Sequence, residues 1–130
     1  MSGSGFEVVL SEVSGFDEVT AKLDGRDSES NPTVVYYCGN RTDNKSWCPD
    51  CVKSDEILTE VLKEIEEKKL LNHNVKLITC FVGNREQWKN PNNDFRKIGI
   101  KSIPTFARFG RKNIDDSDVT FENIKDFLIN

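Results

Sequence analysis

Apolar residues in this chain occur in short runs that alternate with longer segments of helical spacing. Residues Thr33–Cys38 and 75–82 are almost continuously apolar, aromatic or β-branched, which is typical of central strands buried on both faces. Shorter runs at 6–10 and 105–109 predict two further strands. A last short strand is predicted within 112–115, after a turn at Gly110-Arg111.

The helical pattern is clearest at 50–71, where one apolar stripe repeats every three or four residues. The stripe consists of Ile57, Leu58, Val61, Leu62 and Ile65. A capping box at Ser14 and Asp17 predicts an earlier helix that ends near Gly25. A short helix around Phe95 and a final helix capped by Thr120 complete the pattern.

The predicted order of elements is β-α-β-α-β-α-β-β-α. Such alternation indicates an α/β fold, in which helices cover both faces of a central sheet. The final hairpin makes that sheet mixed rather than wholly parallel. Two polar segments, 26–32 and 39–46, are predicted to be surface loops, and the second has no hydrophobic anchor.

Composition narrows the class of protein. A chain of 130 residues suits one domain, which we place at 6–130 after a flexible tail at 1–5. The net charge of −4 argues against nucleic acid as the main partner, and no apolar run approaches membrane-spanning length. The start lacks the basic segment of a signal peptide. We therefore expect a cytoplasmic monomer with reduced thiols.

The candidate chemistry lies in Trp47-Cys48-Pro49-Asp50-Cys51, between a predicted strand and the long predicted helix. A cysteine at a helix N-terminus faces unpaired N–H groups and the positive end of the helix dipole, which favour the nucleophilic thiolate. The second cysteine follows about one helical turn later, close enough to form a disulfide. The spacing therefore predicts Cys48 as the attacking thiol and Cys51 as the resolving thiol.

Two other uses of the cysteine pair are weaker hypotheses. A zinc site needs four ligands, and Cys38, Cys80 and His73 do not form a second close pair, so we expect no metal. A permanent disulfide would close a very short loop and add little stability. Cys38 and Cys80 lie inside predicted buried strands, where cysteine behaves as a small hydrophobic residue.

The order of elements, the Trp-Cys-x-x-Cys motif and Ile103-Pro104-Thr105 before a strand resemble the thioredoxin family. The segment 88–96 and the Pro49-Asp50 pair resemble one branch in particular, that of thioredoxin domain-containing protein 17. The resemblance implies a thioredoxin fold and a cis Pro104 beside the Cys48 sulfur. It also implies active-site support from Trp47.

The same resemblance implies an activity, an electron source and a class of substrates. It implies a cytosolic disulfide reductase with no bound cofactor, which receives electrons from NADPH through thioredoxin reductase. Implied substrates are small disulfides such as cystine and selected protein disulfides, including one in a dynein light chain. Some peroxide-reducing activity is also implied.

Two departures from ordinary thioredoxins affect the predicted site. Thioredoxins place Gly-Pro between the cysteines, whereas this chain has Pro49-Asp50, and the strand before the motif lacks their buried aspartate. Asp50, or a water that it holds, is one candidate proton acceptor for Cys51, and a plain helix-start carboxylate is the alternative interpretation. Lys45 and Ser46 are candidates to assist the Cys48 thiolate.

Two other functions remain as alternatives to disulfide reduction. A thioredoxin-like module could bind a protein partner with only incidental redox activity. A thiol peroxidase would need a sulfenic acid on Cys48 that Cys51 resolves. The position of 39–46 ahead of the motif predicts that this segment lies at the rim of the site and obstructs broad protein partners.

Overall fold

The computed structural model describes residues 5–23 and 32–130, in which a five-stranded sheet lies between two layers of helices. The predicted N-terminal tail, except Gly5, and the predicted loop at 26–32, except Pro32, lie outside the described residues. The strands are β1 (Val8–Ser14), β2 (Thr33–Cys38), β3 (Arg41–Thr42), β4 (Lys45–Ser46), β5 (Val75–Phe81), β6 (Thr105–Arg108) and β7 (Ile114–Asp115). The α-helices are α1 (Gly15–Leu23), α2 (Pro49–Lys68), α3 (Arg85–Lys89), α4 (Asp94–Lys97) and α5 (Phe121–Ile129), with a 3₁₀ turn at Asp116–Asp118.

The main sheet has the strand order β1-β5-β2-β6-β7. Strands β1, β5 and β2 are parallel, whereas β6 and β7 run antiparallel to their neighbours. Within the described residues, β1 forms one edge of the sheet and the two-residue β7 forms the other. The predicted α/β architecture with a mixed sheet is confirmed.

The continuous apolar run of β2 is explained by burial on both faces of the sheet. Tyr36 and Cys38 face a cluster that includes residues of α2 and α5. Val35 and Tyr37 face a second cluster, with residues of α1, α3 and α4. Every residue of β2 is buried, because successive side chains alternate between these two clusters.

The longest helix, α2, forms as its apolar stripe predicts. Leu58, Val61 and Ile65 are buried against the sheet, and the outer face is charged. Glu64 forms the expected ion pair with Lys68, at 3.5 Å, and a shorter one with Lys125 of α5, at 2.9 Å. The helix ends at Lys68 and is capped by Lys69, whose φ of 52° is in the left-handed region.

The predicted position of the first strand was wrong by several residues. Strand β1 covers Val8–Ser14 rather than 6–10, because it pairs with β5 along its whole length, from Val8 opposite Val75 to Ser14 opposite Phe81. The predicted capping box also differs. Glu18, rather than Asp17, accepts the backbone N–H of Ser14 at 2.7 Å.

Regular structure occurs in one predicted loop and in a polar stretch for which no helix was predicted. Segment 39–46 holds the hairpin formed by β3 and β4, whose turn residues Asp43 and Asn44 both have positive φ, at 54° and 68°. Positive φ at both central residues is what a type I′ turn of a two-residue hairpin requires. The polar stretch after β5 contains α3, with a capping box between Asn84 and Gln87. Both elements are too short to show periodicity in the sequence.

The C-terminal half otherwise follows the prediction closely. Strand β6 ends at Arg108, one residue early, which leaves Phe109 91% exposed. Thr120 caps α5 by accepting the N–H of Asn123 at 3.2 Å. Among the residues described, no helix combines the length and apolarity needed to cross a membrane.

Candidate active site

Cys48 occupies the N-cap position of α2, directly after the short hairpin. Its backbone is extended, with φ −91° and ψ 115°, and Pro49 begins the helix. The Cys48 sulfur accepts the N–H of Cys51 at 3.2 Å. One of the unpaired N–H groups of the first helical turn therefore points at the sulfur, as the position of the motif predicts.

The two sulfurs of the motif differ in their access to solvent. Cys48 is 6% exposed and Cys51 is fully buried, and both are free thiols. Burial raises the pKa of the Cys51 thiol, and a hydrogen bond with Cys48 raises it further, while the backbone N–H of Gly39 lowers it. Cys51 therefore holds its proton at neutral pH, whereas the neighbouring Cys48 is the more accessible of the two residues.

The segment that contains Pro104 approaches Cys48, and it includes the cis peptide bond that the family resemblance implies. The Ile103–Pro104 peptide bond is cis, and Pro104 is buried. The Ile103 carbonyl oxygen is 3.9 Å from the Cys48 sulfur. A carbonyl group from the segment before β6 thus lies next to the more accessible thiol.

Ser46 and Trp47 connect the hairpin to Cys48. The buried Ser46 hydroxyl donates to the Gly39 carbonyl at 3.0 Å and accepts the Cys48 N–H at 3.2 Å. The Trp47 indole N–H donates to the Gly83 carbonyl at 2.9 Å, and the Arg85 guanidinium lies 5.2 Å from the centre of the ring. These contacts fix the chain on the N-terminal side of Cys48.

Three other predicted support residues are exposed. Lys45 lies on β4, and Pro49 and Asp50 form the start of α2. Asp50 is an acidic residue in the first turn of the helix, where the dipole favours negative charge. The roles proposed for these side chains in proton transfer or thiolate stabilisation stay predictions.

A polar network beneath α2 was missed in the sequence. The hydroxyl of buried Tyr36 donates to an Asp55 carboxylate oxygen at 2.6 Å and contacts the Ser54 hydroxyl. Arg41 binds both oxygens of the same carboxylate, at 2.9 and 3.2 Å. One signal was available, because Ser54 interrupts the buried face of α2 one turn after Cys51.

Cys80 and the histidine lie apart from the motif, whereas Cys38 belongs to the same buried cluster as Cys48 and Cys51. Cys38 and Cys80 are fully buried in β2 and β5, and burial raises the pKa of each thiol to about 12. His73 lies after α2, with its Nδ1 3.2 Å from the Asn74 carbonyl oxygen. In residues 5–23 and 32–130, no three Cys, His, Asp or Glu side chains are grouped as metal ligands.

Comparison with known proteins identifies the family. The model of the thioredoxin domain of thioredoxin domain-containing protein 17-like proteins matches residues 12–129. The chain belongs to the thioredoxin domain-containing protein 17-like family. The mixed sheet with helices on both faces is accordingly a thioredoxin fold.

Similarity to individual proteins supports membership of the thioredoxin domain-containing protein 17-like family. Thioredoxin domain-containing protein 17 of Mus musculus is 37% identical over 100 residues, or 75% of each chain. The Homo sapiens protein of the same name is 33% identical over 119 residues, which cover 89% of this chain and 90% of the relative. Thioredoxin-like protein Clot of Arabidopsis thaliana is 32% identical over 71 residues, covering 52% and 48%. Family membership and the Cys48–Cys51 pair indicate a redox-type function.

Proposed function

We propose that this protein is a disulfide reductase that acts by dithiol–disulfide exchange through Cys48 and Cys51. The observation that supports this most directly is the arrangement of the two thiols. Cys48 lies at the start of α2, where its sulfur accepts the Cys51 N–H, and it is 6% exposed, whereas Cys51 is fully buried. A thiol at a helix N-terminus is a usual environment of a nucleophilic cysteine, because the N–H groups there favour the thiolate.

The proposed reaction has two exchange steps. The Cys48 thiolate attacks one sulfur of a substrate disulfide, forming a mixed disulfide and releasing the other substrate sulfur as a thiolate. Cys51 then loses its proton and attacks the Cys48 sulfur. The Cys48–Cys51 bond forms as the bond to the substrate breaks, and the second substrate sulfur takes up a proton. The protein is left oxidised by two electrons.

We extend the proposal to the electron source and the substrates. Thioredoxin reductase returns the two electrons from NADPH, in the cytoplasm, with no cofactor bound to this chain. The β3–β4 hairpin precedes Cys48 directly, so it favours small disulfides such as cystine and accessible sites, including one in a dynein light chain, over broad protein surfaces. Reduction of peroxides is an accessory activity.

The test is oxidation of NADPH by the full chain with thioredoxin reductase and cystine. We expect turnover by the parent protein, none by Cys48→Ser, and accumulated mixed disulfides with Cys51→Ser. Cys80→Ser is the matched control, since it removes a buried thiol outside the motif and should retain turnover. A folded parent that reduces neither cystine nor a peptide disulfide would contradict the proposal and favour the partner-binding alternative.

A further inference from the structure

Arg41 is connected to both cysteines of the motif by separate routes. Its backbone pairs with Ser46 across the hairpin, and the Ser46 hydroxyl accepts the N–H of Cys48 at 3.2 Å. Its guanidinium binds both carboxylate oxygens of Asp55, with Nη2 to Oδ1 at 2.9 Å and Nε to Oδ2 at 3.2 Å. The two-pronged geometry fixes the orientation of the carboxylate as well as its charge.

The second route continues from Asp55 to Cys51 through two hydroxyl groups. Tyr36 has a single hydroxyl proton, and the carboxylate of Asp55, at 2.6 Å, is its strongest acceptor. The oxygen of Tyr36 is then free to accept from Ser54. The Ser54 hydroxyl also lies 3.0 Å from the Cys51 carbonyl oxygen, so its proton is shared between the two acceptors.

Burial makes this second route costly to break. Tyr36 is fully buried and Ser54 is 1% exposed, so neither hydroxyl can exchange its partner for water. The side chains of Arg41 and Asp55 are only 26% and 22% exposed, and each neutralises the other. Removing Arg41 would leave a partly buried carboxylate with its main counter-charge missing.

We propose that Arg41, Asp55 and Tyr36 are positioning residues that hold Cys51 in register with Cys48 for the second exchange step. This inference rests on the proposed reductase function. The first attack needs only the Cys48 sulfur and the substrate. The second needs the Cys51 sulfur to meet the Cys48 sulfur in line, which depends on how the hairpin and the first turn of α2 are held relative to each other.

The variants separate positioning from general stability. Tyr36→Phe removes one hydroxyl and keeps the ring that stacks on Phe106 at 4.4 Å between centroids. Arg41→Met removes the charge, and Arg41→Lys keeps the charge without the two-pronged contact. Arg111→Met is the matched control. Arg111 pairs with Asp126 at 3.4 Å and lies 5.2 Å from the centre of a phenylalanine ring, as Arg41 pairs with Asp55 and lies 5.1 Å from the centre of the Phe81 ring.

The probe is 5,5′-dithiobis(2-nitrobenzoate), which releases one coloured thiolate at each exchange step. In stopped flow we expect the first release to stay within about twofold of the parent in all variants. The second release should slow by about tenfold in Arg41→Met and Tyr36→Phe, the loss expected for one charge-assisted hydrogen bond. Arg41→Lys should recover part of that rate, and Arg111→Met should match the parent in both phases.

A second measurement does not depend on turnover of any substrate. The equilibrium constant of the Cys48–Cys51 disulfide against glutathione should change by about tenfold in the same two variants, a shift of about 30 mV. Equal slowing of both phases, an unchanged second phase, or the same effect from Arg111→Met would overturn the inference alone. A parent protein that releases no thiolate in either phase would instead contradict the proposed function on which the inference rests.

Discussion

Two thiols and two phenols, all buried in the adjacent strands β2 and β5, have pKa values above their ordinary ones. Burial raises the pKa of Cys38 and of Cys80 to about 12, and that of Tyr37 to about 12. The pKa of Tyr36 is raised further, by burial first and then by the charge of nearby groups. In an unfolded chain these groups titrate near 8.5 for thiols and near 10 for phenols, approximately.

The pH dependence of stability follows from this difference. Above about pH 8.5 the unfolded chain begins to release thiol protons that the folded protein retains. Because the folded state then binds more protons than the unfolded state, the free energy of unfolding falls as the pH rises. The stabilising contribution is complete below the unfolded pKa values and is lost progressively up to about pH 12.

We expect Cys38→Ala to flatten the alkaline loss of stability. Each proton that the folded state retains and the unfolded state loses makes the free energy of unfolding fall by about 1.4 kcal/mol per pH unit. The variant lacks one such proton. Urea unfolding of parent and variant between about pH 8 and pH 11 measures the slopes. Val35→Ala, in the same strand, should lower stability at every pH and leave the slope unchanged. Identical slopes for Cys38→Ala and the parent would show that the Cys38 proton is not retained.

The β3–β4 hairpin is the element on which the position of Cys48 depends. Strands of two residues are too short to be stable alone, so the contacts that anchor them decide their geometry. Asn40 provides two of these contacts, since its N–H donates to the Gly83 carbonyl at 3.0 Å and its side chain accepts the Gly83 N–H at 2.9 Å. The Trp47 indole donates to the same carbonyl. The hairpin is therefore fixed to the end of β5.

We predict that Gly39→Ala destabilises the protein through a clash with Trp47. A Cβ at position 39 would lie 2.7 Å from a carbon of the indole, and overpacking of this kind costs about 1–3 kcal/mol. The free energy of unfolding in urea measures the cost. In a Trp47→Ala background the same substitution should cost much less, because the clashing ring is absent. An equal cost in both backgrounds would rule out the Trp47 clash as the cause.

Local patterns predicted some of these elements and missed others for physical reasons. The apolar stripe of α2 recurs at helical spacing between Ile57 and Ile65, so the buried face of the helix could be predicted from Leu58, Val61 and Ile65. The hairpin has no alternating apolar residues, and it is held by bonds to Gly83, far along the chain. Its only local signal was the Asp43-Asn44 pair, which tolerates the left-handed turn.

On the scale of the whole molecule, two hydrophobic clusters lie on opposite faces of the sheet. Leu77 and Leu128 belong to the cluster under α2 and α5, and Ile78 and Trp88 belong to the other. Trp47 and Ile103 pack against both clusters. The candidate active site thus lies where the two halves of the core meet, so the stability of either half affects the support of Cys48.

We expect the loss of stability from a leucine-to-alanine substitution to depend on whether the leucine belongs to a buried hydrophobic cluster. Leu128→Ala should lower the free energy of unfolding by about 2–5 kcal/mol, because Leu128 is fully buried and the substitution leaves a cavity. Leu10→Ala is the matched control. Leu10 is 62% exposed, and its loss should change stability by less than about 0.5 kcal/mol. Urea unfolding monitored by circular dichroism gives both values, and comparable losses would contradict the assigned core.

In the candidate site, as in the hairpin, contacts between residues far apart in the chain left no local signal in the sequence. Cys48, Cys51 and Pro104 could be predicted because short motifs identify them. The Arg41–Asp55–Tyr36 network could not, since its members are 14 and 19 residues apart and meet only after β2, the hairpin and α2 have packed together. The absence of a carboxylate from β2 was predicted correctly, but the carboxylate that approaches β2 from α2 was not.

The two edges that the sheet has within residues 5–23 and 32–130 differ in length. The edge formed by β7 is two residues long, whereas β1 is seven residues long and leaves Val9 and Leu10 exposed. An affinity tag on the N-terminal side would be linked through the chain to β1, and an extended peptide can add to a sheet edge as an extra strand. A tag after Asn130 would instead continue from α5, in the helical layer. Purification through the C-terminus is therefore the better choice for keeping the molecule from associating through its own sheet.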